Sequence, residues 1–248
     1  TTCIELQMDE VSPLIVDMGT GVIEYAIQRG AERSEFHFLL THFHWDHIIG
    51  FPFFHPIHRP GVVIHVHSPF ETARVQRQLQ GLFDGSYSPL RDISALAAEV
   101  HCHQIESGAE LQGARVTFKR TTHSSECYAY RLETATQSLA VVTDHEAGLD
   151  GNEALIEFVR GVDVLVHDAQ FTAERLATRQ GFGHSSIEQA IDNGTRAEVG
   201  RILLTHHHPS HGDAFLQLYL KKLLRRLEKE GRELPSVAYA FEGAPLQF

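Results

Sequence analysis

Short apolar runs alternate along the chain with longer stretches of mixed polarity, the rhythm of strands separated by helices. Leu14–Met18, Phe36–Leu40, Val62–Val66, Val116–Lys119, Tyr128–Leu132, Leu139–Thr143, Val162–Val166 and Arg201–Leu204 read as strands. Val22–Gln28, Glu71–Gln80, Ala154–Arg160, Ser186–Asn193 and Asp213–Glu230 read as helices, the fourth opened by Ser185 or Ser186 as cap and the last closed by Gly231. In that last helix Lys221, Lys222, Arg225 and Arg226 form a solvated face opposite Phe215, Leu216, Leu220, Leu223, Leu224 and Leu227. The Gly-, Pro- and Ser-rich stretch 81–96 reads as an irregular surface loop. One short pattern recurs: Leu39-Leu40-Thr41-His42, Val141-Val142-Thr143-Asp144 and Leu203-Leu204-Thr205-His206, with Leu165-Val166-His167-Asp168 as a looser version. Each reads as a buried strand that delivers a His or Asp at its C-terminal end, where open α/β layers gather ligands.

Composition adds one strong signal. Of 18 histidines, most of those outside 55–103 fall in a few short segments around 42–47, 123, 145, 167, 184 and 206–211, which points to metal or proton chemistry. A net charge of −11 argues against broad adhesion to nucleic acid or to an anionic membrane. No apolar run is long enough to span a bilayer and no secretory leader is visible. Cys3, Cys102 and Cys127 are too few and too widely spaced for a disulfide framework, and they fit a cytoplasmic protein. Cys127 reads as a small buried hydrophobe.

The segment Thr41-His42-Phe43-His44-Trp45-Asp46-His47 carries the chemistry. His42 and His44 are two apart, so an extended backbone turns both to one side, and Asp46 and His47 follow at a bend where they can face a second ion. Imidazole and carboxylate together suit Zn²⁺, with Mn²⁺ or Fe as alternatives. His55, His58, His65, His67, His101 and His103 show no companion carboxylate pattern, and His65 and His67 read as a half-exposed strand face. Phe51-Pro52-Phe53-Phe54 reads mainly as packing beneath the following loop.

The H-x-H-x-D-H motif after an apolar strand resembles the metallo-β-lactamase-fold hydrolases. The resemblance continues in order through His123 in Thr122-His123-Ser124-Ser125-Glu126-Cys127-Tyr128, Asp144 in Thr143-Asp144-His145-Glu146 and His206 in Leu204-Thr205-His206. Gly183-His184-Ser185-Ser186 is similar to the Gly-His-Ser element of the phosphodiesterase branch, which includes the tRNA 3′-processing endonuclease Z and the carbon–phosphorus-lyase-associated phosphodiesterase. The resemblance implies an α/β, four-layer αββα sandwich over 1–248, a single domain lacking a short N-terminal strand. It implies two divalent metal ions: His42, His44 and His123 on one, Asp46, His47 and His206 on the other, and Asp144 bridging. It further implies hydrolysis of a phosphodiester by a hydroxide bridging the ions, with Asp46 orienting the nucleophile and His184 as proton donor or charge stabiliser. No basic, Gly/Pro-rich tRNA-holding insertion is visible, so a small or cyclic phosphodiester is the expected substrate. Lactone or carboxylic-ester hydrolysis and tRNA 3′-end cleavage are the alternatives, and relatives of this type are often homodimers. His145, Glu146, His167, Asp168 and His207 are expected behind the ligands or in structural roles, His208 stands where relatives often carry Asp, and His211 and Asp213 either line the pocket or cap the last helix.

Overall fold

In the computed structural model, which describes residues 1–7, 11–149 and 151–244, the backbone separates into two units, Thr1–Thr117 and Phe118–Phe248. The first begins with β1 (Ile4–Leu6) and β2 (Leu14–Val16), followed by α1 (Gly21–Arg29), β3 (Glu35–Leu39) and a one-turn helix α2 (Trp45–Ile48). It continues through β4 (Val63–Ser68), α3 (Thr72–Gln80), β5 (Glu99–Gln104) and β6 (Ala109–Leu111), which forms a hairpin with β7 (Ala114–Arg120), the strand in which the division between the units falls. Its sheet runs in the order β1-β2-β3-β4-β5; β1 is antiparallel to β2 and the others are parallel. One face is apolar because alternate residues of each strand share a side. Phe36 and Phe38 of β3 meet the buried Phe54 edge-on, with ring centroids 4.9 and 5.5 Å apart. Ile64 and Val66 of β4 are likewise fully buried.

The second unit holds β8 (Tyr128–Glu133), β9 (Ser138–Val142), α4 (Asn152–Phe158), β10 (Val164–Asp168) and α5 (Ala173–Leu176). After these come α6 (Ile187–Arg196), β11 (Arg201–Thr205), α7 (Asp213–Lys229) and β12 (Ser236–Tyr239). Strands β9, β10, β11 and β12 are parallel neighbours, and β8 adds antiparallel to β9. The core is one cluster in which Ala140, Val142, Leu165, Ile202 and Leu204 pack with Ile187 and Ile191 of α6 and with Leu216, Leu220, Leu223 and Leu227 of α7. The spacing of those four leucines puts one stripe of α7 on the core. The polar opposite face is as expected, except that Phe215 stays exposed. A reciprocal capping box starts α6: the Ser186 hydroxyl accepts from the Gln189 backbone N–H, and the Gln189 side chain accepts from that of Ser186.

The strands and helices expected from periodicity are present with ends moved by at most three residues, the largest shift being the end of α6, which runs on to Arg196. Stretch 81–96 holds two 3₁₀ turns, at Gly81–Phe83 and Ile93–Ala95, around an irregular middle. Four strands, β1, β5, β6 and β12, had no clear periodic signal. Cys127 is fully buried; Phe51 and Phe54 are buried while Phe53 is exposed. Among the described residues no helix is long and apolar enough to cross a membrane.

Candidate metal centre

The strand-tip pattern is realised in the backbone. His42 lies just beyond β3, Asp144 just beyond β9, Asp168 ends β10, and His206 follows β11. Of the seven expected ligands, His42, His44, Asp46 and His47 belong to the first unit; His123, Asp144 and His206 belong to the second.

In the first unit His44 is the extended N-cap of α2, so Asp46 and His47 lie on a helical turn rather than at a simple bend. The His42 ring centroid is 4.5 Å from that of His44 and 4.2 Å from that of His47. Asp46 Oδ2 lies 3.4 Å from His47 Nε2. The segment is clamped from β2: the Met18 N–H donates to the His47 carbonyl at 2.7 Å and the Gly50 N–H to the Met18 carbonyl at 2.9 Å. Gly19 lies so close that a Cβ there would overlap the Asp46 carbonyl.

Asp17, absent from the sequence reading, organises this cluster. It is fully buried, left-handed at φ 63°, and one residue past β2. Its Oδ1 accepts the Thr41 backbone N–H at 2.8 Å, and its Oδ2 accepts from the Thr41 hydroxyl at 2.8 Å and from His47 Nδ1 at 2.7 Å. Burial pushes this carboxyl up from its ordinary value, opposed by His47 and Thr41. With its proton used on Asp17, Thr41 Oγ1 can accept from His42 Nδ1, 3.0 Å away. Both imidazoles therefore carry hydrogen on Nδ1 and the lone pair on Nε2, the arrangement that suits a metal ligand. The only hint in sequence was an acid closing the apolar run Leu14-Ile15-Val16.

In the second unit His123 Nδ1 donates to the Gly183 carbonyl at 2.8 Å, again placing the lone pair on Nε2. Asp144, 1% exposed, turns Oδ2 to His123 Nε2 and Oδ1 to His206 Nε2, each at 3.6 Å. Those separations exceed hydrogen-bonding range yet suit neighbouring ligands around ions. His206 is left-handed at φ 57°, and its Nδ1 lies 3.0 Å from the Gln170 amide nitrogen. With a metal on Nε2, the Gln170 amide would turn its oxygen to that Nδ1–H.

His184 joins this group, since Asp144, His184 and His206 offer donor atoms within 4.8 Å of one another. Its Nδ1 donates to Asp168 Oδ2 at 2.9 Å, and its ring stacks on that of His206 at 4.9 Å. Asp168 also accepts the backbone N–H groups of His145 (3.1 Å), Ser185 (3.3 Å) and Gln170 (3.0 Å), knitting three loops to the tip of β10. Glu146 accepts from the N–H groups of Gly181 at 2.6 Å and Gly183 at 2.8 Å, holding the loop whose carbonyl orients His123. Gly183 has φ 85°, and a Cβ there would overlap His123 Nδ1.

The neighbouring histidines divide by their partners. His145 bonds the Thr122 backbone N–H and Asn152; His167 bonds the Asp168 carbonyl and Asn193. Burial holds both below the ordinary imidazole range, His145 at about 4, so they are neutral structural groups. His207 packs edge-on against Tyr239; His208 meets Arg175 and Ser210; His211 packs against Phe215.

Parallel strands whose C-terminal tips present imidazoles and carboxylates define an α/β protein built to bind metal. A family model described as a β-lactamase superfamily domain matches residues 33–207. The chain belongs to that superfamily, as a metallo-β-lactamase-fold hydrolase. An uncharacterised Mycobacterium leprae protein is 27% identical over 210 residues, covering 82% of this chain and 70% of its own. Among solved structures, the metallo-β-lactamase-fold protein YhfI from Bacillus subtilis superposes with a TM-score of 0.71 at 19% identity, covering 98% of this chain and 90% of its own. A diphosphatase of the PhnP family superposes with a TM-score of 0.67 at 23% identity, covering 99% of this chain and 83% of its own. These likenesses agree with the expected fold class.

Proposed function

We propose that the protein is a dinuclear metal-dependent phosphodiesterase acting on a small or cyclic phosphodiester. The observation that carries this reading is the division of the Asp144 oxygens between His123 Nε2 and His206 Nε2, each at 3.6 Å, as a carboxylate shared by two ions requires. His42, His44 and His123 would hold one ion, Asp46, His47 and His206 the other, with Zn²⁺ as the metal. Such a pair supplies an acidified water and positive charge for the phosphoryl oxygens.

The remaining work falls to the chain. Asp17, Thr41 and Gly183 keep hydrogen on Nδ1 of His47, His42 and His123, so each Nε2 is a lone-pair donor. Asp46 would hold an ion and orient the attacking oxygen. His184 delivers a proton from Nε2 to the leaving alkoxide, and Asp168 at its Nδ1 stabilises the imidazolium. The similarity to a PhnP-family diphosphatase favours phosphoryl over carboxyl substrates.

The test is His184→Ala with metal content measured alongside turnover of bis(p-nitrophenyl) phosphate. The variant is expected to keep the metal content of the wild type and to lose about 10²–10⁴-fold in rate. Undiminished turnover removes His184 from the mechanism. A parallel panel of cyclic AMP, an acyl-homoserine lactone and p-nitrophenyl acetate checks the substrate class: hydrolysis of the lactone or acetate without either diester overturns the proposal.

A further inference from the structure

The face of the β3-β4-β5 sheet opposite Phe36 and Phe38 carries five imidazoles. The parallel register sets His37, His65 and His101 side by side across the three strands, and one step along it sets His67 beside His103. The rings stack at centroid distances of 4.7 Å for His37–His65, 5.5 Å for His37–His67 and 4.9 Å for His67–His103. Carboxylates do accompany them, contrary to the sequence reading: Glu35, at the start of β3, reaches His37 and His65, and Glu99 reaches His101. His67 is only 6% exposed, so the face is also drier than expected.

We infer that Glu35, His37 and His65 form a second metal site, distinct from the candidate hydrolytic centre and suited to a borderline divalent ion such as Zn²⁺. The three donor atoms lie within 4.8 Å of one another. Glu35 Oε1 is 3.3 Å from Nε2 of His37 and 3.3 Å from Nε2 of His65. A charge-assisted hydrogen bond would close to about 2.7–2.9 Å. Around a tetrahedral ion with bonds of about 2.0–2.1 Å, adjacent donors stand about 3.3–3.4 Å apart, which matches.

The tautomers point the same way. His37 Nδ1 lies 3.2 Å from His67 Nε2, and His65 Nδ1 lies 3.0 Å from His103 Nε2. A hydrogen on each Nδ1 satisfies these bonds and leaves the lone pair of each ring on Nε2, the atom 3.3 Å from Glu35 Oε1. That is the support a ligating imidazole receives from its neighbours. The Gln112 amide donates to His37 Nε2 at 2.9 Å, marking that nitrogen as a lone-pair acceptor; an ion would take the place of that amide hydrogen. The His37 and His65 ring planes are 14° apart. Closing on one ion would shift His65, whose side chain is 21% exposed. Two imidazoles and one carboxylate leave a fourth corner for water.

The test is a Zn²⁺ count. Chelator-stripped wild type, Glu35→Gln and the double variant E35Q/H65N are equilibrated at one fixed micromolar free Zn²⁺ concentration, and bound metal per chain is measured by mass spectrometry. The wild type is expected to hold one equivalent more than the double variant, with bis(p-nitrophenyl) phosphate turnover equal in all three. Equal counts overturn the site. Because the readout is a difference, it does not depend on how many ions the other centre holds. Both side chains are at least part-exposed, and matching far-ultraviolet circular dichroism controls for folding.

Discussion

Replacing Asp17 by Asn is the sharpest probe of how this chain prepares its donors. The change keeps shape and volume and leaves one acceptor oxygen where two served separate donors: the Thr41 N–H at 2.8 Å and His47 Nδ1 at 2.7 Å. If the amide oxygen faces Thr41, its NH₂ group confronts His47 Nδ1–H. The imidazole must then move its hydrogen to Nε2 and lose the lone pair intended for metal. Loss of such a supporting partner typically costs about 10–100-fold in metal affinity. If the oxygen faces His47 instead, the buried Thr41 N–H loses its acceptor, which costs about 1–3 kcal/mol of stability. Asp17 is fully buried, so water cannot rescue either arrangement. The assay is urea unfolding of the metal-free variant together with competition titration of Zn²⁺. D17N is expected to lose stability, Zn²⁺ affinity, or a share of both, within those ranges. Wild-type values for both would refute the argument that Asp17 sets the His47 tautomer.

Two further outcomes follow from the same coordinates. Gly183→Ala is expected to displace His123, because the new methyl occupies the position of its Nδ1 and the backbone sits at φ 85°; Zn²⁺ retained after dialysis should fall below the wild-type count, and an unchanged count would contradict the loop's role. Burial pushes His67 down to about 3, so below the ordinary 6.5 the unfolded chain takes up this proton before the folded one does. The stability is therefore complete above pH 6.5 and is lost as pH falls from 6.5 towards 3, by about 2 kcal/mol at pH 5. His67→Leu should flatten that decline in urea melts at pH 7 and 5, and an equal decline in both proteins would rule the group out.

Some of this molecule was legible from residue order alone. Apolar runs ending in Thr-His or Thr-Asp predict strands that hand a donor to their own C-terminal tip, because strand burial and the residue after it are local properties. The donors His42, His44, Asp46 and His47 are near neighbours in sequence, so their chemistry could be read without a fold. The pair Ser185-Ser186 announced the start of α6 for the same reason, and the structure makes Ser186 the cap. Strands β1, β5, β6 and β12 escaped because they are short or only partly buried; in β5 the run Glu-Val-His-Cys-His-Gln alternates with imidazoles where a simple pattern shows charged residues.

Tertiary structure decided which atoms of those residues are ready to act. The partner that orients His47 is Asp17, 30 residues earlier, and the one that orients His123 is the Gly183 carbonyl, 60 residues later. The imidazole face on β3, β4 and β5 exists only because parallel register brings three separate segments alongside one another. Hydrophobic periodicity records which side of an element is buried. Tautomer, donor spacing and left-handed turns at Asp17 and His206 depend on the neighbour across the sheet, which the order of residues does not name.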